Sequence, residues 1–151
     1  MKDIKIWFTD FYRGFDNTDN PLSNLLKQSY NIVLDKDKPD YLIYSCYGND
    51  FLQYECIRIY ITGENLVPDF NLCDYAIGFE RLDFRDRYLR YPNFAFLDDQ
   101  FNQLTKVRNF DLKTITEKNH FCNFIHSNSG AHPARDKFFH LLNKYKVIMS
   151  P

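Results

Sequence analysis

A layered α/β sheet of largely parallel strands is the fold class this sequence predicts, and three observations carry the prediction. Short apolar runs recur along the first half of the chain, at Lys2–Thr9, Tyr41–Cys46, Cys56–Thr62 and Asp74–Phe79. Two of them, YLIYSC and CIRIYIT, are continuous rather than alternating, as expected of strands covered on both faces. Segments with helix-start or turn chemistry lie between and after the runs, the alternation an α/β fold requires. At 151 residues the chain holds about one domain at the usual ~100–200 residues each.

The elements follow in order. Lys2–Thr9 is β-rich and alternates weakly, which predicts the first strand. Asn20-Pro21 has the form of a helix N-cap followed by proline at the first helical position. Leu22, Leu25, Leu26 and Tyr30 supply that helix with an apolar face at three- to four-residue spacing. Asn31–Leu34 reads as a strand and 35–40 (DKDKPD) as a solvated turn. Strands at 41–46, 56–62 and 74–79 complete the sheet, and the loop from Gly63 to Cys73 leaves one strand end at the edge where parallel sheets bind ligands. LDFRDRYLRYP, 82–92, predicts a turn of helix ended by Pro92, with Asp86 and Arg90 as an i,i+4 ion pair and Arg87 the freer cation. Phe96–Val107 predicts a helix. Asn109–Asn119 predicts a linker, Phe121–His126 a strand, 127–130 a turn, Pro133 the opening of a last helix, and Val147–Met149 a final strand. A strand–helix–strand unit of this kind opens a second layer without finishing it. The expected organisation is a domain at 1–108, a linker at 109–119 and an incomplete second domain at 120–151.

Composition removes several functional classes. Lys+Arg total 19 against Asp+Glu 20, a net charge of -1, which gives no electrostatic footprint for nucleic acid. No apolar run approaches the ~18 residues of a membrane span, and the start lacks a signal-peptide core. Cys46, Cys56, Cys73 and Cys122 are scattered without a CxxC pair, so four free thiols in a reducing cytosol are expected. The aromatic load, 15 Phe, 11 Tyr and 1 Trp, serves the core and also supplies rings with hydroxyls for polar ligand sites.

Three motifs carry chemistry. Thr62-Gly63-Glu64-Asn65 directly follows a strand, so Glu64 sits at the rim of a rigid element, where a general base needs a fixed carboxylate. Pro68, Phe70 and Tyr75 are the nearby apolar candidates; the plain alternative is an exposed glutamate in a turn. Arg135 lies in the first turn of the last helix behind Ser127-Asn128-Ser129-Gly130, a phosphate-site arrangement without a Walker or GxGxxG sequence. Asp35-Lys36-Asp37 has a DxD form but reads as a surface turn. His120, His126, His132 and His140 lack zinc-ligand spacing, so no metal is expected.

Taken together, Tyr60 to Asn65, Pro68-Asp69-Phe70-Asn71, Asp74 to Phe79 and Asp86-Arg87-Tyr88-Leu89-Arg90 resemble the bacterial alpha-1,3-fucosyltransferases of glycosyltransferase family 10. Phe121 to Ile125, Ser127-Asn128, Arg135, Phe138-Phe139 and Asn143-Lys144-Tyr145 resemble the start of that family's donor domain. The resemblance implies a Rossmann-like N-terminal half of a GT-B-type enzyme. It also implies inverting transfer of fucose from GDP-fucose to the 3-hydroxyl of an N-acetylglucosamine-containing glycan of a surface polysaccharide or lipopolysaccharide. In that reading Glu64 is the base, Asn65, Phe70 and Tyr75 bind acceptor, and Arg135, Asn128 and Ser127 bind the donor diphosphate. No metal cofactor is needed, since cationic side chains and helix N-termini can offset the charge of the leaving group.

The same resemblance expects further βα units after this segment, including a tyrosine–threonine–glutamate–lysine element that grips the donor. The chain is therefore expected to be a fragment with negligible transfer alone, to dimerise through its unfinished second domain, and to be cytoplasmic, peripheral at the inner membrane at full length. A catalytically dead module that binds N-acetyllactosamine-type glycans is one alternative, and a related nucleotide-sugar transferase another.

Overall fold

Strands at Lys2–Thr9 (β1), Tyr30–Leu34 (β2), Tyr41–Tyr44 (β3), Ile57–Ile61 (β4), Tyr75–Gly78 (β5) and Tyr88–Arg90 (β6) form one sheet in the order β2-β1-β3-β4-β5-β6. Every pairing is parallel. The computed structural model describes residues 1–96, 98–109, 111–118, 124–125 and 132–145, in two compact units, Met1–Lys106 and Val107–Pro151.

The continuous apolar runs have the physical cause expected of them. Leu42, Tyr44, Tyr60 and Ala76 pack with Phe51 and Cys73 on one face of the sheet, while Ile43 and Ile61 pack with Ile4, Ile6 and Phe8 on the other. Successive side chains of a strand point to opposite faces. Where both sides are covered, as in β3 and at Tyr60-Ile61 of β4, consecutive residues must therefore be apolar, while Arg58 falls in the less buried first half of β4. The second cluster is closed by Leu22 and Leu26 of the helix Pro21–Leu26 (α1) and by Phe11 and Phe15 after β1.

β2 pairs with the first half of β1, from Lys2 to Ile6, and β3 with its second half, from Ile6 to Thr9. The turn at 35–40 can thus pass across β1 without a helix, tied by Asp35 N to Ile6 O at 3.1 Å and Asp40 N to Lys5 O at 2.9 Å. Chain order consequently reverses at β1, with β2 on one side and β3 on the other.

α1 begins as its sequence predicts. The Asn20 side chain accepts from Ser23 N at 2.9 Å and Ser23 Oγ accepts from Asn20 N at 3.1 Å, a reciprocal capping box. Both residues are buried, so each hydrogen bond replaces water that cannot enter. Asn20→Ala should cost about 1–2 kcal/mol, read as a lower urea midpoint with unchanged slope; a loss within ~0.5 kcal/mol would mean the cap is dispensable.

Three sequence expectations need correction. The turn of helix expected at 82–92 is confined to the 3-10 turn Arg85–Arg87 and ends not at Pro92 but in β6. No helical i,i+4 geometry joins Asp86 to Arg90; Arg90 Nε donates to Phe79 O at 2.9 Å. Charged and aromatic residues gave 82–90 no apolar period, yet the open edge of β5 recruits it as a strand. Tyr30 opens β2 and does not extend the face of α1, because α1 stops at Leu26. Within 109–119, Leu112–Thr116 forms a short helix (α3).

Asp98–Thr105 (α2) lies within the helix expected at 96–107. Ala134–Asn143 (α4) follows Pro133. The final strand at 147–149 and Cys122 lie outside the described residues, as does most of the strand expected at 121–126. The described cysteines, Cys46, Cys56 and Cys73, are free thiols. No helix among the described residues is long and apolar enough to cross a membrane.

Candidate functional site

In a parallel sheet the loops leaving the carboxyl ends of the strands converge where chain order reverses. Here that place lies beyond β1 and β3, and a cavity of about 370 Å³ opens there. Its walls come from the segments after β1 (Phe11, Tyr12, Phe15), β3 (Ser45, Tyr47) and β4 (Thr62, Gly63, Glu64). Asn20, Pro21 and Leu22 at the start of α1 and Asn93 complete it. The volume lies within the range of small-molecule sites, about 300–1,000 Å³.

Glu64 is fixed from below and behind. Thr62, buried at the end of β4, accepts Glu64 N on its hydroxyl at 3.0 Å and donates to Cys46 Sγ at 3.5 Å. Asn93 Nδ2 donates to Gly63 O at 3.2 Å. A Cβ on Gly63 would stand 2.6 Å from Asn93 Nδ2, so glycine is what lets the asparagine close on the turn.

The Glu64 carboxylate is held as well. Tyr47 Oη donates to Oε1 at 2.7 Å, leaving Oε2 for another partner. That bond is the largest cause raising the Tyr47 phenol to about 12, because the neutral hydroxyl is the donor and the phenolate would face a carboxylate. The Tyr47 ring meets Tyr12 edge-on at 6.4 Å, and Tyr12 meets Phe15 edge-on at 5.7 Å. Phe15 stacks on Phe11 at 3.9 Å, and both reach the buried Phe8. An aromatic ladder thus runs from the core to two exposed tyrosines beside one carboxylate.

A larger cavity, about 790 Å³, opens at the opposite edge among Asp3, Asp40, Glu55 and Asp74. Two of those carboxylates serve the strands: Asp40 Oδ2 accepts from Lys5 N at 3.2 Å and Asp74 Oδ2 from Arg58 N at 2.8 Å. The smaller cavity, at the order reversal with a pre-set carboxylate, is the better site.

The structure brings only part of the predicted set together. Glu64 lines the cavity, and Asn65 follows it in the exposed loop without lining it. Phe70 stacks on Phe84 at 3.9 Å and packs against the core. Tyr75 opens β5 in register with Ile59, toward the other edge. Neither Phe70 nor Tyr75 lines the Glu64 cavity. Tyr12, Tyr47 and Asn93 were missed. The available signal for the tyrosines was position: each lies just beyond a strand end, as the Glu64 loop does.

In the second unit Arg135 is exposed in the first turn of α4, its N bonded to His132 O at 3.1 Å. Ser127 and Asn128 lie outside the described residues. Asp35 of the DxD segment is spent on a surface turn: it accepts from Lys5 Nζ at 2.8 Å and from the amides of Asp37 and Lys38. The lysine bond first, then the amide of Lys38, hold its carboxyl below the usual range. No cluster of three metal-ligating side chains occurs among the described residues.

The family described as the alpha-(1,3)-fucosyltransferase FucT N-terminal domain matches residues 6–97. The chain is 30% identical over 181 residues to the alpha-(1,3)-fucosyltransferase FucT of Helicobacter pylori, covering 94% of this chain and 37% of that one. A crystal structure of an alpha1,3-fucosyltransferase superposes with a TM-score of 0.70 at 25% identity, over 99% of this chain and 53% of the other. A second, with GDP-fucose, gives 0.66 at 25% identity over the same shares. The chain thus spans about half or less of the relatives it matches.

Proposed function

Because the chain belongs to the family of the alpha-(1,3)-fucosyltransferase FucT N-terminal domain, we propose that it supplies the acceptor site and the general base for fucosyl transfer from GDP-fucose. The acceptor is an N-acetylglucosamine-containing glycan, attacked through its 3-hydroxyl, and transfer inverts the fucose anomeric centre. The observation that carries this reading is the Glu64 carboxylate, one oxygen held by Tyr47 and the other without a partner among the described residues, in a cavity walled by exposed tyrosines.

Glu64 Oε2 takes the hydroxyl proton as the sugar oxygen bonds to fucose C1. The bond from C1 to the diphosphate breaks, and its electron pair leaves with GDP. Tyr47 keeps the carboxylate from rotating, so the base meets the hydroxyl in one orientation. Tyr12 and Tyr47 present ring faces to the acceptor sugar, the role that Phe70 and Tyr75, placed elsewhere, are not positioned to fill from this cavity. Arg135, with Ser127 and Asn128, belongs to the donor side of the proposal and offsets charge on the diphosphate. A cytoplasmic location belongs to the same proposal.

Titrating N-acetyllactosamine into the isotopically labelled chain tests the acceptor assignment. Amide shifts should move in the segments after β1, β3 and β4, and Tyr12→Ala should weaken binding by about tenfold, equivalent to ~1.4 kcal/mol. Shifts confined to the opposite edge, around Asp3 and Asp74, would refute it. Binding without any transfer by an otherwise complete enzyme would favour the glycan-binding alternative.

A further inference from the structure

We propose that Asp10 is the positioning residue of this site: its carboxylate clamps the turn after β3 and thereby sets the Tyr47 hydroxyl on Glu64. Tyr47 is exposed and lies in a turn between β3 and the 3-10 segment Asp50–Gln53. Nothing in regular structure dictates where its ring points. Asp10 does so from the end of β1.

Its backbone is left-handed, φ 59°, a conformation uncommon for residues with a side chain but one that aspartate adopts more readily than most. In that conformation the Asp10 carbonyl accepts Tyr47 N at 2.9 Å. Its Oδ1 accepts Asp50 N at 3.0 Å and its Oδ2 accepts Phe51 N at 2.8 Å. One residue therefore grips the turn on both sides of Gly48. That glycine is also required by the clamp, because a Cβ there would collide with Asp10 Oδ1. Phe51, whose amide is gripped, is itself buried and stacks on Tyr44 at 4.2 Å, which anchors the far end of the turn in the core.

The chain of contacts runs from Asp10 through the turn to Tyr47 Oη and on to Glu64 Oε1. Asp10 does not line the cavity, so it acts through Tyr47 and not on the sugar. The kinetic consequence rests on the reading of Glu64 as the base; the positioning itself does not.

The test uses the chain with its tyrosines labelled at Cζ. In the wild-type background Glu64→Gln shifts the Tyr47 resonance, since its partner changes from a carboxylate to an amide. Asp10→Gly retains the left-handed backbone and removes the clamp, and Asp10→Asn retains the backbone while placing an amide donor against one of the two N–H groups. In both, the response of Tyr47 to Glu64→Gln should be lost while the other tyrosine resonances stay in place. Gly48→Ala, which displaces the clamp from the other side, should give the same loss and decides the matter if Asp10→Gly does not fold. A Tyr47 resonance that still answers fully to Glu64→Gln in a folded Asp10→Gly or Gly48→Ala chain overturns the proposal.

A kinetic arm joins residues 1–151 to the remaining portion of the Helicobacter pylori relative. Asp10→Gly should lower kcat about tenfold, as for a base held in the wrong orientation, and raise KM for the acceptor as the Tyr47 ring leaves the cavity wall. Loss of the Tyr47 response with kcat unaltered would uphold the clamp and overturn its kinetic consequence, the role of Glu64 as base being decided by Glu64→Gln.

Discussion

Glu64→Gln in that same joined enzyme should lower kcat for fucosyl transfer by about 10²–10⁴-fold, roughly 3–5 kcal/mol of transition-state stabilisation. Glutamine is the informative replacement. Its amide oxygen can still accept from Tyr47, so the side chain stays in place and only the ability to take a proton is removed. Acceptor affinity should change little, because the ring faces of Tyr12 and Tyr47 remain. The measurement is initial rate against acceptor concentration at saturating GDP-fucose, which separates kcat from KM. A Glu64→Gln enzyme with wild-type kcat would remove the carboxylate from the mechanism. A rise in KM with kcat intact would instead make Glu64 a sugar-binding group.

Arg87→Ala should be the most damaging single change to the stability of the first unit outside the apolar core, at about 2–4 kcal/mol. Its guanidinium donates to three backbone carbonyls, Asp74 at 2.7 Å, Cys73 at 2.8 Å and Phe70 at 3.2 Å. It also lies 5.1 Å from the ring centre of Phe70 and 5.4 Å from that of Phe84, while Phe70 and Phe84 stack on one another. The three carbonyls belong to the end of the loop that begins at Gly63, just before β5. Removing the guanidinium orphans them together and takes away the cation beside both rings. Arg87→Lys should recover little, since an ammonium cannot present the planar fork that reaches three acceptors. Chemical denaturation gives the loss, and hydrogen exchange should show faster opening at 69–74 than elsewhere in the sheet. A midpoint within ~0.5 kcal/mol of wild type would show the loop to be held by packing alone.

Arg87 also shows where a linear reading stops. Read along the chain, it is one of several arginines in a charged stretch, the freest of them beside an expected Asp86–Arg90 pair. In the folded chain it is the most heavily bonded cation of that stretch among the described residues, because its acceptors come from residues 13 to 17 positions earlier. The Tyr47–Glu64 bond spans 17 positions and the Asp10 clamp 40 and 41. No local pattern encodes such pairings.

What the sequence determined by itself is what local chemistry fixes. The two-sided burial of β3 and of the end of β4 follows from their runs of apolar residues, the start of α1 from Asn20-Pro21, and the rim position of Glu64 from a glycine just after a strand. Tertiary structure alone decided the order of the strands, the recruitment of 88–90 as β6, and which aromatics share a cavity with the carboxylate. Periodicity, capping and turn preferences act within a few residues of the chain. Strand order and site composition depend on which distant segments bury each other best, a competition settled only when the whole sheet closes.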